Sequence, residues 1–137
     1  MLDNEKPYSI LIVDDEDSIR SLLRLTLVRA GYEVIEAASG EEGITLAQTK
    51  KPDLVLLDVM MPAMDGFDVC RYMRQDPDLN NMPIIMLSAR RDARSRQLSR
   101  QAGANGYLTK PWHADELLWR VGEAIDNAKQ ATKHGTS

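Results

Sequence analysis

Leu54-Val55-Leu56-Leu57-Asp58-Val59-Met60-Met61-Pro62 is the stretch whose reading decides the fold. Four apolar residues in a row, without alternation, predict a strand covered on both faces, as strands are inside a parallel sheet. The run ends on the carboxylate of Asp58. Met61-Pro62 then steers the backbone away from helix, and Asp65-Gly66 predicts a turn before the next element. Asp58 is therefore expected where a core strand opens into a loop, which is where open α/β sheets gather their ligands.

On the N-terminal side, Ser9-Ile10-Leu11-Ile12-Val13 is a second run of the same kind, stopped by Asp14-Asp15-Glu16-Asp17. A helix follows, with Asp17 or Ser18 as its cap, Ile19, Leu22, Leu23 and Thr26 on one stripe, and Gly31 as its stop. Glu33-Val34-Ile35-Glu36-Ala37 alternates in part, which predicts an edge strand. Ser39 with Glu42 forms a capping box for a short helix through Ala47, ended by Lys51-Pro52.

On the C-terminal side, a helix is expected over 67–75, then a fourth buried strand at Ile84-Ile85-Met86-Leu87, with Ser88 just past its end. The arginine-rich segment 92–102 reads as a helix stopped by Gly103. Gly106-Tyr107-Leu108 reads as a short fifth strand leading to Thr109-Lys110-Pro111. Leu117, Leu118, Val121 and Ile125 recur at helical spacing and predict a last helix over 114–128. Residues 1–8 form a lead-in, 9–128 one domain, and 129–137 a small, polar, flexible tail.

Strands and helices alternate five times, which predicts an α/β fold: a doubly wound, five-stranded parallel sheet with helices on both faces. At 137 residues, 43% hydrophobic and 28% charged, the chain has globular values rather than those of a disordered protein. A net charge of −4 argues against direct nucleic-acid binding, which favours a basic excess. No run approaches the roughly 20 apolar residues that span a bilayer. The lone Cys70 suits a reducing compartment, and the expected location is cytoplasmic.

Four of the strands hand over a polar residue at the carboxyl end: Asp14 and Asp15, Asp58, Ser88, and Lys110. In a doubly wound sheet these ends share one edge, so the residues converge there. Read one at a time they have ordinary explanations, since acids favour helix N-termini and a serine after a strand suits a turn. Together, three crowded carboxylates repel one another and call for protonation or a divalent cation. An all-oxygen set suits a hard ion such as magnesium, with manganese as the alternative. Lys110 and the Ser88 hydroxyl then complete a place for phosphoryl oxygens, and a carboxylate can itself be the nucleophile.

The motifs Leu11-Ile12-Val13-Asp14-Asp15-Glu16, Leu57-Asp58-Val59-Met60-Met61-Pro62 with Asp65-Gly66, Leu87-Ser88-Ala89 and Thr109-Lys110-Pro111 resemble the receiver domain of two-component response regulators. The likeness runs from about Ser9 to Asn127. It implies a flavodoxin-like (βα)5 fold with strand order 2-1-3-4-5. It implies that Asp58 accepts a phosphoryl group from the phosphohistidine of a sensor histidine kinase or phosphotransfer protein. Asp14, Asp15, Asp58 and the backbone carbonyl of Met60 would hold magnesium. Lys110 would pair with Asp58 and then with the phosphoryl group. Ser88 would move onto a phosphoryl oxygen, Tyr107 would turn inward into the space it leaves, and Lys110-Pro111 would be cis.

The resemblance further implies an output surface on the fourth helix, fifth strand and fifth helix, addressed to a target protein or an output domain, with homodimerisation on phosphorylation as one form of output. Met60 and Arg90, each two residues past a key position, would rim the phosphoryl pocket. Arg90, Arg91, Arg94, Arg96 and Arg100 make the fourth helix basic, either as a solvated face or as a surface for an acidic partner. Three other classes compete. A haloacid-dehalogenase-like phosphatase would use an Asp-x-Asp pattern, which Asp15-Glu16-Asp17 mimics. A flavodoxin-like cofactor binder would need a phosphate cradle, but the loop after Val13 is acidic and lacks glycine. A phosphate-independent interaction module would not need Asp58 to be ionisable.

Overall fold

A computed structural model describes residues 6–135. The elements are β1 (Ser9–Val13), α1 (Asp17–Arg29), β2 (Glu33–Ala37), α2 (Gly40–Lys50), β3 (Leu54–Asp58), α3 (Gly66–Gln75), β4 (Ile84–Ser88), α4 (Ala93–Ala102), β5 (Gly106–Thr109) and α5 (Ala114–Gly135). All strand pairs are parallel, and their order is β2-β1-β3-β4-β5. The chain is thus the doubly wound (βα)5 sheet that its apolar runs predict, with β2 at an edge.

Because side chains alternate across a strand, each buried run feeds two cores. Leu11, Val13, Val55, Leu57, Ile84 and Met86 pack with α2, α3 and α4 residues such as Ala47, Val69, Met73 and Ala102. Ile10, Ile12, Leu54, Leu56, Ile85 and Leu87 pack with Leu23 and Leu27 of α1 and with Leu117, Val121 and Ile125 of α5. Cys70 is buried in the first of these cores.

Caps set most helix boundaries. Ser39 accepts from the Glu42 amide while Glu42 accepts from the Ala38 amide, one residue earlier than in the usual box. Asp65 and Asp92 cap α3 and α4 by accepting from Asp68 and Ser95. Gly31, at φ 97°, supplies the left-handed step after α1.

Three expectations are corrected. Leu22 does not join the buried stripe of α1: it is 51% exposed, and the inward residues are Leu23 and Leu27, with Ile19 and Thr26 half-buried. A period of 3.6 residues carries position 22 about a quarter turn off that stripe. Neither Asp17 nor Ser18 caps α1. Glu16 occupies the cap position without a side-chain bond, and Asp17 pairs with Arg20. Finally, α5 runs to Gly135 instead of ending at Ala128, so the stretch read as a tail is helical as far as it is described. Residues 1–5 of the lead-in and 136–137 of the tail lie outside the described residues.

At the far end of the sheet Arg74, the last basic residue of α3, fastens three segments. Its guanidinium donates to the carbonyls of Met82 at 2.7 Å and Gly103 at 2.8 Å, and to Asn105 Oδ1 at 2.8 Å. Asn105 Oδ1 also accepts from the Ile84 amide at the start of β4.

Candidate functional site

Registration of the strands decides where the polar residues meet. Val13 pairs with Leu57, Asp58 with Leu87, and Ser88 with Thr109, so the carboxyl ends of β1, β3, β4 and β5 are level. The order change between β1 and β3 opens the crevice in which such sheets bind ligands. Asp14, Asp58, Ser88 and Lys110 all come to this edge.

Asp14 is fully buried, and Asp58 is 2% exposed. Asp14 Oδ1 accepts from the Glu16 amide at 2.9 Å, and Asp58 Oδ1 accepts from the Met60 amide at 3.4 Å. Lys110 Nζ bridges the two acids, donating to Asp14 Oδ2 at 3.2 Å and to Asp58 Oδ1 at 3.1 Å. Asp15 stands exposed at the mouth, and one carboxylate oxygen from each of Asp14, Asp15 and Asp58 lies within 4.8 Å of the others.

One ammonium does not neutralise three carboxylates. Burial raises the pKa of Asp58 to about 6, and the Asp14 charge adds to the rise against the opposing pull of Lys110. Lys110 is itself drawn down by burial, but Asp58 and Asp14 outweigh this and raise it. The donor set is all oxygen, and a hard divalent cation there would relieve the remaining repulsion. The residues present therefore fit magnesium.

The loop after Asp58 is held close. The Val59 amide donates to the Leu87 carbonyl and the Gly66 amide to the Val59 carbonyl, both at 3.0 Å. A Cβ on Gly66 would come within 2.4 Å of the Asp58 carbonyl oxygen, so only glycine allows α3 to start there. Met60, two residues past Asp58, is 57% exposed, and Arg90, two past Ser88, is exposed. Lys110-Pro111 is cis.

Ser88 is fully buried, and its Oγ accepts from the Arg90 amide at 3.0 Å. Tyr107 of β5 lies inward, 7% exposed, with its hydroxyl donating to the Arg90 carbonyl at 2.7 Å. The Arg96 guanidinium lies 4.9 Å from the ring centroid and donates to Thr109 Oγ1 at 3.2 Å. A bonded hydroxyl and a covered ring face account for the inward position.

The family model described as the response regulator receiver domain matches residues 10–122. The chain belongs to this family. The receiver is 46% identical over 112 residues to the alkaline phosphatase synthesis transcriptional regulatory protein PhoP of Bacillus subtilis (strain 168), a match covering 82% of this chain and 46% of that protein. It is 46% identical over 129 residues to the transcriptional regulatory protein AfsQ1 of Streptomyces coelicolor, covering 94% of this chain and 56% of that protein. The receiver spans about half the length of the curated relatives it matches.

Among solved structures, a putative response regulator from Chloroflexus aurantiacus J-10-fl superposes with a TM-score of 0.86 at 42% identity, covering 88% of this chain and 99% of that one. The receiver domain of the sensor histidine kinase PA1611 from Pseudomonas aeruginosa PAO1, solved with magnesium in its active-site cleft, gives a TM-score of 0.82 at 30% identity. That match covers 88% of this receiver and 98% of the other chain.

The phosphatase alternative is not favoured. The Asp17 side chain, second acid of the mimicking pattern, is 91% exposed and pairs with Arg20 outside the hollow. No helix among the described residues is long and apolar enough to cross a membrane.

The sequence marks Gly66 only as a turn residue and Arg96 only as part of a basic helix, and Arg20 not at all. Their roles come from approaches between distant segments, and no local pattern carries them.

Proposed function

We propose that this receiver domain takes up a phosphoryl group on Asp58. The single observation that carries the reading is the Lys110 ammonium held between the buried carboxylates of Asp14 and Asp58, with Asp15 open to solvent beside them. An Asp58 carboxylate oxygen attacks phosphorus. The O–P bond forms as the P–N bond of a donor phosphohistidine breaks, and the leaving imidazole keeps the bond's electron pair and takes up a proton.

Asp14, Asp15, Asp58 and the Met60 carbonyl are the proposed magnesium ligands, with manganese able to replace it. When bound, the ion supplies positive charge for the phosphoryl oxygens. Lys110 supplies a second positive charge, and the Ser88 hydroxyl gives up the Arg90 amide to donate to a phosphoryl oxygen. No enzyme activity on a free substrate is proposed, only self-catalysed transfer and hydrolysis. Met60 and Arg90 shield the phosphorus from in-line water and so slow that hydrolysis.

The donor is a sensor histidine kinase or a phosphotransfer protein. The phosphoryl group adds about −1.5 to −2 charge at one point, and the shift of Ser88, with Tyr107 packing into the space it leaves, carries this to the face made by α4, β5 and α5. That face addresses a target protein or an output domain, and homodimerisation is one route. The receiver, over 9–128, works in the cytoplasm without touching nucleic acid or membrane itself.

The test is intact-mass analysis after acetyl phosphate with magnesium. Wild type is expected to gain one phosphoryl group, and Asp58→Asn or magnesium-free protein none. Labelling that survives Asp58→Asn refutes the assignment. Replacing Met60 and Arg90 with smaller or acidic residues is expected to speed decay of the labelled form, and an unchanged decay rate refutes the shielding role.

A further inference from the structure

Arg20 lies in the first turns of α1, and its side chain is 14% exposed although its partner Asp17 is largely solvated and Glu36 is 36% exposed. Its Nη1 donates to the backbone carbonyl of Asp14 at 2.7 Å. Its Nη2 pairs with Asp17, and its Nε lies 3.4 Å from Glu36 Oε1 on the edge strand β2. One fork therefore joins the peptide between Asp14 and Asp15 to the start of α1 and to a strand outside the site.

That peptide matters because both acids hang from it. The Asp14 carboxylate has two further constraints, the Glu16 amide and Lys110, and the Asp14 amide donates to the Ala37 carbonyl. Asp15 makes no hydrogen bond or ion pair among the described residues, so its direction depends on the backbone that carries it. Surface ion pairs contribute little on their own, so the pairings with Asp17 and Glu36 give no reason to bury a guanidinium here. The bond to the Asp14 carbonyl does.

We infer that Arg20 is a positioning residue for the cation site: by holding the Asp14 carbonyl it aims the Asp14 and Asp15 carboxylates at one point. This rests on the reading of Asp14, Asp15 and Asp58 as ligands of a divalent cation. A contrary electrostatic effect has the opposite sign. A guanidinium beside a cation site repels the ion, so its removal would tighten binding if charge were all that mattered. Asp17 and Glu36 offset that charge locally, and positioning is expected to win.

The experiment is calorimetric titration of the unphosphorylated protein with magnesium chloride, alongside thermal unfolding in EDTA, for wild type, Arg20→Gln, Arg20→Lys and Arg24→Gln. Arg24 is the control: it is on the same helix and lies 3.5 Å from the same Glu36, but its side chain is 62% exposed and, among the described residues, no hydrogen bond or ion pair joins it to the loop. Loss of a group that orients a ligand weakens metal binding by roughly 10–100-fold, and Arg20→Gln is expected in that range. Arg20→Lys keeps the charge but not the fork; it is expected to bind more weakly than wild type, with Arg24→Gln unchanged. If Arg20→Gln does not fold, Arg20→Lys alone decides, since a simple charge role would leave it unaltered.

Equal or tighter magnesium binding by folded Arg20→Gln overturns the inference, as does a lowered melting temperature with an unchanged dissociation constant. Folded wild type that binds no magnesium overturns the cation reading itself. The two failures are thus distinct.

Discussion

Asp58→Asn is expected to stabilise the metal-free protein. The carboxyl is 2% exposed, and its pKa stands at about 6 against an ordinary 3.8. At 1.36 kcal/mol per tenfold change in proton affinity, ionised Asp58 costs the folded state about 3 kcal/mol above pH 6. The sign follows from the raised pKa. Below pH 3.8 the acid is protonated whether the chain is folded or not, and the cost vanishes. It grows between 3.8 and about 6 and is complete above. Asparagine matches the shape and neutrality of the protonated acid but not its hydroxyl, so a gain of about 1–3 kcal/mol is expected at pH 7.5. For a domain of this size that is a rise in Tm of roughly 3–15 °C.

Urea unfolding in EDTA measures the difference, and at pH 5 it is expected to fall to about half. Saturating magnesium is expected to narrow or invert it, because an ion at a hundred times its Kd adds about 2.7 kcal/mol to the protein that binds it. An Asp58→Asn variant no more stable than wild type at pH 7.5 in EDTA, or one whose advantage ignores pH, refutes the account of the hollow as electrostatically frustrated.

Other outcomes follow from the same geometry. Lys110→Ala leaves Asp14 and Asp58 facing each other without their shared ammonium, and phosphorylation by acetyl phosphate is expected to slow roughly 100-fold in an intact-mass time course. Gly66→Ala forces a Cβ against the Asp58 backbone and is expected to cost about 2–3 kcal/mol in urea unfolding. Arg74→Met removes the donors that hold the Met82 and Gly103 carbonyls and Asn105; a loss of about 2–4 kcal/mol is expected, with magnesium binding at the opposite edge unchanged by calorimetry.

How much of this the sequence carried depended on whether a feature was local. The runs before Asp14, Asp58 and Ser88 are continuous because parallel strands are covered on both faces, and that pattern alone gives the sheet and the edge where the acids meet. The partial alternation of Glu33 to Ala37 gives the edge strand for the same reason. Features set by distant partners were not legible. Asp17 reads as a cap from its neighbours, yet Arg20 takes it. Tyr107 reads only as an aromatic on a short strand, and its bond to the Arg90 carbonyl and contact with Arg96 come from segments the pattern does not connect. The end of α5 was misplaced because Lys129, Gln130 and Ala131 continue no apolar stripe, although such residues sustain a helix well.

The two tryptophans differ in a way that makes the protein its own optical probe. Trp112 follows Pro111 directly and is partly buried against the α1–α5 core, whereas Trp119 is 64% exposed on α5. Blue-shifted emission should therefore come from the ring beside the Lys110 loop and red-shifted emission from the ring in water. Replacing Trp119 would leave Trp112, two residues past Lys110 in the chain, as the sole tryptophan, and a rearrangement of the Lys110 loop is expected to show as a shift in its emission.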